Sequence, residues 1–267
     1  MFDNLRRAEQ ARRLKNGVRE GRDDSRRPGG ADVEVTAGQE NAKTHPEAAP
    51  SRNGTGELTE TFARELGILR NSLQAALKDK ARRSILFTSA THQEGVTTLA
   101  SSYARLSALG SDERVLLVEM NARRPSLFWR MGLGSENGVS HYLARELPLA
   151  TIIQRDKRLG FDVIHVGEQD PTKVQLHLEK GFPQLLAEAS AGYDTVLIDA
   201  PPVVLSPETP QIAGCVDGVV MVVHCGKTRR EIVQRSIHMI EQFEGRVLGV
   251  VLNRKKYYIP DFLYQRV

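Results

Sequence analysis

Residues 85–104 read ILFTSATHQEGVTTLASSYA, and the reading of that stretch decides the fold. Ile85 to Ala90 is a short apolar run suited to a strand buried on both faces, and the segment from Thr97 onward has helical character. Between them lies a loop carrying Gly95. Strand, glycine-bearing loop and helix is the layout of a phosphate-binding loop, in which backbone N–H groups at the helix start face an anion. Such loops end in G-K-[ST], with the lysine ammonium against the β- and γ-phosphates. Here the triplet is Gly95-Val96-Thr97, so the lysine is absent.

Outward from this loop, helix-like and strand-like segments alternate. The apolar spacing of Phe62, Leu66, Leu69, Leu73 and Leu77 predicts a helix over 60–77. Strand SILFTSA, helix TTLASSYARLSALG, strand RVLLVEM, a loop containing NARRPSLF and helix-like VSHYLAREL follow. Next come strand FDVIHVG, helix FPQLLAEASAG, strands DTVLIDAPP and GVVMVVHCG, helix TRREIVQRSIHMIEQF and strand RVLGVVLNR. Short, uniformly apolar strands separated by helices predict an α/β fold: a doubly wound, mostly parallel sheet with helices on both faces. Ligands of such sheets bind beyond the carboxyl ends of the strands, where the unusual loops of this sequence fall.

The 267 residues divide into 1–56, a polar segment rich in Arg, Asp, Glu, Gly and Pro; 57–253, the α/β domain; and 254–267, a tail containing tyrosines. The first segment has too little apolar surface to offset its ordering entropy and reads as disordered. Within it, MFDNLRRAEQARRLK has the character of a charged helix. Docking on a partner or an anionic membrane face is one reading; a solvated helix is preferred, because Phe2 and Leu5 are few anchors. The net charge of +4 and pI near 9.1 stem partly from this arginine-rich front. Without basic-aromatic interleaving they do not point to nucleic acid. No signal-peptide h-region or apolar run of about 18 residues occurs, which predicts a cytoplasmic chain. Cys215 and Cys225, without metal-ligand spacing, read as small buried thiols.

Four segments taken in order, TSATHQEGVTTLASSYA, VLLVEMNARRPSL, YDTVLIDAPPVV and VDGVVMVVHCGKT followed by VLGVVLNR, resemble the bacterial tyrosine kinases of capsule and exopolysaccharide systems. These lie within the deviant P-loop ATPases, and the resemblance spans roughly residues 60 to 253. It implies a P-loop NTPase-like fold, ATP and Mg²⁺ as cofactors, and nucleotide-binding residues Glu94, Gly95, Val96, Thr97 and Thr98. It implies metal binding by Thr97 and Asp199, a catalytic constellation at positions 119, 121 and 199, and phosphoacceptor candidates Tyr257, Tyr258 and Tyr264 in the tail, for which packing on the domain edge is an equal reading. Tail phosphate would pair with Lys255 and Lys256.

The departures from that family bear on function. The family's loop reads P-G-E-G-K-[ST]-T; here His92 and Gln93 replace Pro-Gly, and Val96 replaces the lysine. Thr91 stands where partitioning ATPases carry their signature lysine. The two aspartates of the second motif correspond to Glu119 and Asn121, whereas Asp199 and Arg123-Arg124-Pro125 are kept. An ammonium about 4 Å from a phosphate charge is worth on the order of 4 kcal/mol at an effective dielectric of 20, before desolvation. That is roughly a thousandfold in affinity. Backbone N–H groups would still hold an anion, but phosphoryl transfer depends on placed positive charge and metal. The ring-assembly pattern E-x-x-R-x-x-R falls on Arg64, Gly67 and Arg70, of which only Arg70 fits.

These features predict a degenerate kinase-like protein, a regulatory or scaffolding partner in exopolysaccharide synthesis and export, with weak or no ATP turnover. Its expected partners are the cytoplasmic part of a membrane polysaccharide co-polymerase or a cognate tyrosine kinase, with homo-oligomers also considered and peripheral attachment at the inner membrane face through a partner. The alternatives are an active tyrosine autokinase in which Arg123, Arg124 or a partner's arginine replaces the lysine, and a positioning ATPase of the partitioning type, disfavoured by Thr91. The basic front and the loop bearing Phe128, Trp129 and Met131 are the candidate docking elements, with Phe128 and Trp129 covering the sheet edge as the slightly preferred reading of that loop.

Overall fold

The computed structural model describes residues 60–110, 113–132, 137–155, 158–167 and 171–255. The segment 1–56, the tail tyrosines Tyr257, Tyr258 and Tyr264, and the side chains of Phe128 and Trp129 lie outside the described residues.

Seven strands form one sheet: β1 (Arg83–Ser89), β2 (Val115–Glu119), β3 (Gln154–Arg155), β4 (Asp162–Ile164), β5 (Thr195–Asp199), β6 (Gly218–His224) and β7 (Val247–Asn253), in the order β3-β4-β2-β5-β1-β6-β7. All neighbours pair in parallel except β3 with β4. The helices are α1 (Glu60–Ala76), α2 (Val96–Leu109), α3 (Leu127–Met131), α4 (Val139–Leu143), α5 (Leu149–Ile152), α6 (Pro171–Gly192), α7 (Glu208–Ala213) and α8 (Arg230–Glu241).

Strand side chains alternate between two cores, which explains why the strands are apolar throughout. Leu86, Leu116, Val118, Ile198 and Met221 face one core with Leu178, Phe182 and Leu185 of α6. Ile85, Phe87, Leu117, Leu197 and Val222 face the other, with Leu66 and Leu73 of α1 and Leu99 and Tyr103 of α2. The expected doubly wound, mostly parallel sheet is what forms.

Three departures have local causes. Helix α6 begins at Pro171 and runs through Pro183, although the sequence reading starts it at Phe182. A proline inside a helix costs about 3 kcal/mol. Burying Val174, Leu178, Phe182 and Leu185 on one face, at roughly 1.5–3 kcal/mol each, outweighs that. A short helix, α3, emerges from the segment read as a loop. The cysteines are not buried thiols: Cys215 follows Gly214 at the end of α7 and is exposed, and Cys225 lies in the turn after β6 and is half-buried.

Candidate functional site

Four strand ends meet on one side of the sheet. Phe87 and Glu119 both lie level with Asp199 in the parallel ladders, so the ends of β1, β2 and β5 share one rim with β6. The loop from Ala90 to Gly95 crosses this rim into α2.

The loop keeps a phosphate-loop shape without the expected side chains. Gly95 caps α2 with φ 92°, and no side chain caps the helix start. Gln93, where the family pattern has glycine, also adopts a left-handed conformation, φ 63°. Glu94 turns inward and is 1% exposed. Its carboxylate accepts from Ala90 N (3.1 Å), from the Thr91 hydroxyl (3.0 Å) and from the Thr228 hydroxyl. Asn253, at the end of β7, donates from Nδ2 to the Glu94 carbonyl at 2.8 Å. A Cβ added to Gly95 would collide with that amide, so glycine is required by space as well as by φ.

Neither lysine position supplies a cation. Val96 is 9% exposed and packs into the core with Leu99 and Phe87. Thr91 is bound to Glu94.

Opposite the loop stand two buried carboxylates. Asp199 is 1% exposed, and one of its oxygens, Oδ2, has no partner. Burial first, then the charge of Glu119, push its carboxyl up to about 7 against the pull of the Thr97 hydroxyl and Arg130. Glu119 is fully buried; Oε1 accepts from Ser126 N at 2.6 Å and Leu127 N at 2.9 Å, while Oε2 has no partner. Burial holds its carboxyl above the usual range despite the backbone N–H donors of Leu127 and Ser126. Glu119 thus ties the end of β2 to the start of α3. Asn121 instead accepts from the Arg124 backbone N–H at 3.2 Å, closing its own turn.

The unpartnered Asp199 Oδ2 and the Thr97 hydroxyl beside that carboxylate are hard-oxygen donors of the kind that fits Mg²⁺, and these two residues would hold it. Among the described residues no cluster of three or more His, Cys, Asp or Glu is grouped for a metal. A phosphate-loop Mg²⁺ takes the rest of its shell from phosphates and water.

The two arginines read as stand-ins for the lysine lie in different surroundings. Arg123 pairs with buried Glu208 at 3.7 Å. Arg124 lies near His92, whose imidazole is held below its usual range by burial first and by that guanidinium second. Arg130, which the sequence reading passed over, donates from Nη2 to the Thr98 hydroxyl at 2.9 Å. Ser126, Thr228 and Asn253 also went unread as site residues. The topology would have pointed to the last two, because Thr228 follows the carboxyl end of β6, the neighbour of β1, and Asn253 closes β7 next to it.

No family model matches the chain. It is similar to tyrosine-protein kinase YwqD of Bacillus subtilis, 27% identical over 188 residues covering 70% of this chain and 79% of that protein. Tyrosine-protein kinase Etk of Escherichia coli is 30% identical over 185 residues, 69% of this chain and 25% of Etk. Tyrosine-protein kinase Wzc of Salmonella typhi is 26% identical over 198 residues, 74% of this chain and 27% of Wzc. The chain therefore spans about a quarter of the length of Etk and Wzc. Among solved structures, the kinase domain of Escherichia coli Etk superposes with TM-score 0.68 at 27% identity, over 74% of this chain and 79% of that one. The BceF tyrosine kinase domain gives 0.66 at 25% identity, over 75% and 80%. Cobyrinic acid a,c-diamide synthase of Mycobacterium smegmatis, solved with ADP and magnesium, shares the fold at TM-score 0.53 and 20% identity, over 63% of this chain and 71% of that one. By sequence and by fold, the chain is a homologue of the bacterial tyrosine-kinase domains and carries their P-loop NTPase-like architecture.

Proposed function

We propose that the chain is a kinase-like regulatory or scaffolding partner in capsule or exopolysaccharide synthesis and export, binding ATP weakly and not turning it over. The polysaccharide context comes from the sequence resemblance. The observation that carries the loss of turnover is the burial of Val96 in the core at the lysine position. Thr91, at the alternative lysine position, is engaged by Glu94. The loop itself therefore supplies no charge against the γ-phosphate, and phosphoryl transfer depends on such charge. Asn121 occupied with its own turn removes a second anionic group from the metal side.

The anion cradle at the start of α2 needs no side chain, which supports residual binding. In this reading Gly95 and the backbone of Val96, Thr97 and Thr98 face the phosphates, Thr97 and Asp199 hold Mg²⁺, and Glu94 braces the loop. The partner is the cytoplasmic part of a membrane polysaccharide co-polymerase or a cognate tyrosine kinase. No described helix is long and apolar enough to cross a membrane, so attachment to the inner face would run through that partner. A second reading, an active autokinase with an atypical loop, draws support from Arg130, whose guanidinium lies on Thr98 and acts on Asp199.

Calorimetric titration with ATP, with and without Mg²⁺, tests the proposal. Affinity in the high micromolar range or weaker, without hydrolysis, is expected; tight Mg²⁺-dependent binding would contradict it.

A further inference from the structure

Arg130 is placed by a chain of contacts that begins inside the sheet. Buried Glu119 at the end of β2 accepts from the backbone N–H groups of Ser126 and Leu127, the residues that open α3. One turn later the Arg130 N–H bonds the Ser126 carbonyl at 3.0 Å, and the Arg130 side chain reaches across to Thr98 in the first turn of α2. The Ser126 hydroxyl meets the Thr97 hydroxyl at 3.4 Å on the same line. The guanidinium remains solvent-accessible, so a ligand can reach its other donors.

The surroundings are those of a ligand site. Helix α2 has 14 residues and an uncapped start, and beside it the 1%-exposed Asp199 leaves Oδ2 without a partner. The other carboxylates facing this corner are Glu119, with one oxygen bound to α3, and Glu94, turned away into its own loop. Of the nearby arginines, Arg123 pairs with Glu208, and Arg124 lies by His92 of the loop with no bond to the helix start. Among the described residues, Arg130 is the guanidinium bonded within the helix start itself.

We infer that Arg130 is the phosphate-binding cation of this site, entering from α3 to hold the polyphosphate of an Mg²⁺-bound nucleoside di- or triphosphate that a loop lysine would otherwise hold. Glu119 acts as its positioning residue, through the start of α3. A guanidinium fork offers two parallel N–H donors to a phosphate, which an ammonium does not. It approaches from the side of Thr98, so it contributes to binding without taking up the lysine's place at the γ-phosphate. The inference builds on the reading that the site takes a nucleotide.

The test is calorimetry of the full chain with ADP plus Mg²⁺, with AMP as the probe lacking a polyphosphate. Arg130→Ala is expected to weaken Mg²⁺-ADP binding by about tenfold or more, and Arg130→Lys by less, with AMP affinity and melting temperature unchanged. Equal Mg²⁺-ADP affinity in wild type and Arg130→Ala overturns the inference and leaves the kinase-like reading standing. Absence of any Mg²⁺-ADP binding by wild type at millimolar concentration also overturns it, while an inert partner protein survives. Hydrolysis of ATP that disappears in Arg130→Ala supports the inference and overturns the turnover-free reading.

Discussion

Gln93 and Val96 separate two things a phosphate loop needs, backbone shape and placed charge. The shape persists at Gln93 although the residue there is no longer glycine, and a left-handed backbone at a residue with a Cβ costs about 1–2 kcal/mol. Glycine loses more entropy on folding, by roughly 0.5–1 kcal/mol, so Gln93→Gly is expected to stabilise the chain by about 0.5–1 kcal/mol in urea denaturation. Val96 is the converse case, an apolar side chain packed into the core at the position of the family's lysine. Val96→Lys is expected to raise ATP affinity by about tenfold, its stem running along the apolar wall and its ammonium emerging at the loop. No gain in calorimetry would mean that the loop backbone does not present a phosphate site. The absent lysine was legible in the sequence because it is a matter of residue identity. Arg130 was not, because its reach depends on where Glu119 pins α3, and that contact spans eight residues that no spacing rule connects.

Among the elements, the central strands were readable because both of their faces are buried, which writes an unbroken apolar run into β1, β2, β5 and β6. The two-residue β3 and four-residue α5 leave no periodicity to read. Helix α7 was obscured by Pro207 and Pro210, although a helix start accommodates both. The register of β1 against β6 is held by a lock at their amino ends. Asp217 Oδ2 accepts from Ser84 N and Ser84 Oγ at 2.8 Å each, and Lys80 pairs with its Oδ1 at 2.9 Å. Burial alone would raise the Asp217 carboxyl, but Lys80 and the Ser84 donors together hold it below 3.8. A depressed folded value means that the carboxylate stabilises the fold above the unfolded value and that this is lost as pH falls through the lower folded one. Asp217→Asn is therefore expected to cost about 1–2 kcal/mol at pH 7, the exposure of Lys80 weakening its share, and almost nothing in acid below the folded value. Denaturant melts of both proteins across that range check the sign.

For the whole molecule, fold and chemistry rest on different residues. The fold superposes on a tyrosine-kinase domain, because the sheet and both cores depend on apolar patterning that substitutions at the loop do not touch. Turnover depends on a few charges at the rim, and there a core valine, a turn-closing Asn121 and a laterally placed Arg130 stand in the family's site. This division is why the architecture could be read from the sequence while the reach of Arg130 to Thr98 could not. We propose that such a site does not transfer phosphate. Its most direct test is to incubate the purified full chain with ATP and Mg²⁺ and map phosphotyrosine by mass spectrometry. The account predicts no phosphate above background on Tyr257, Tyr258 or Tyr264; phosphate on any of them that disappears in Asp199→Asn would contradict it.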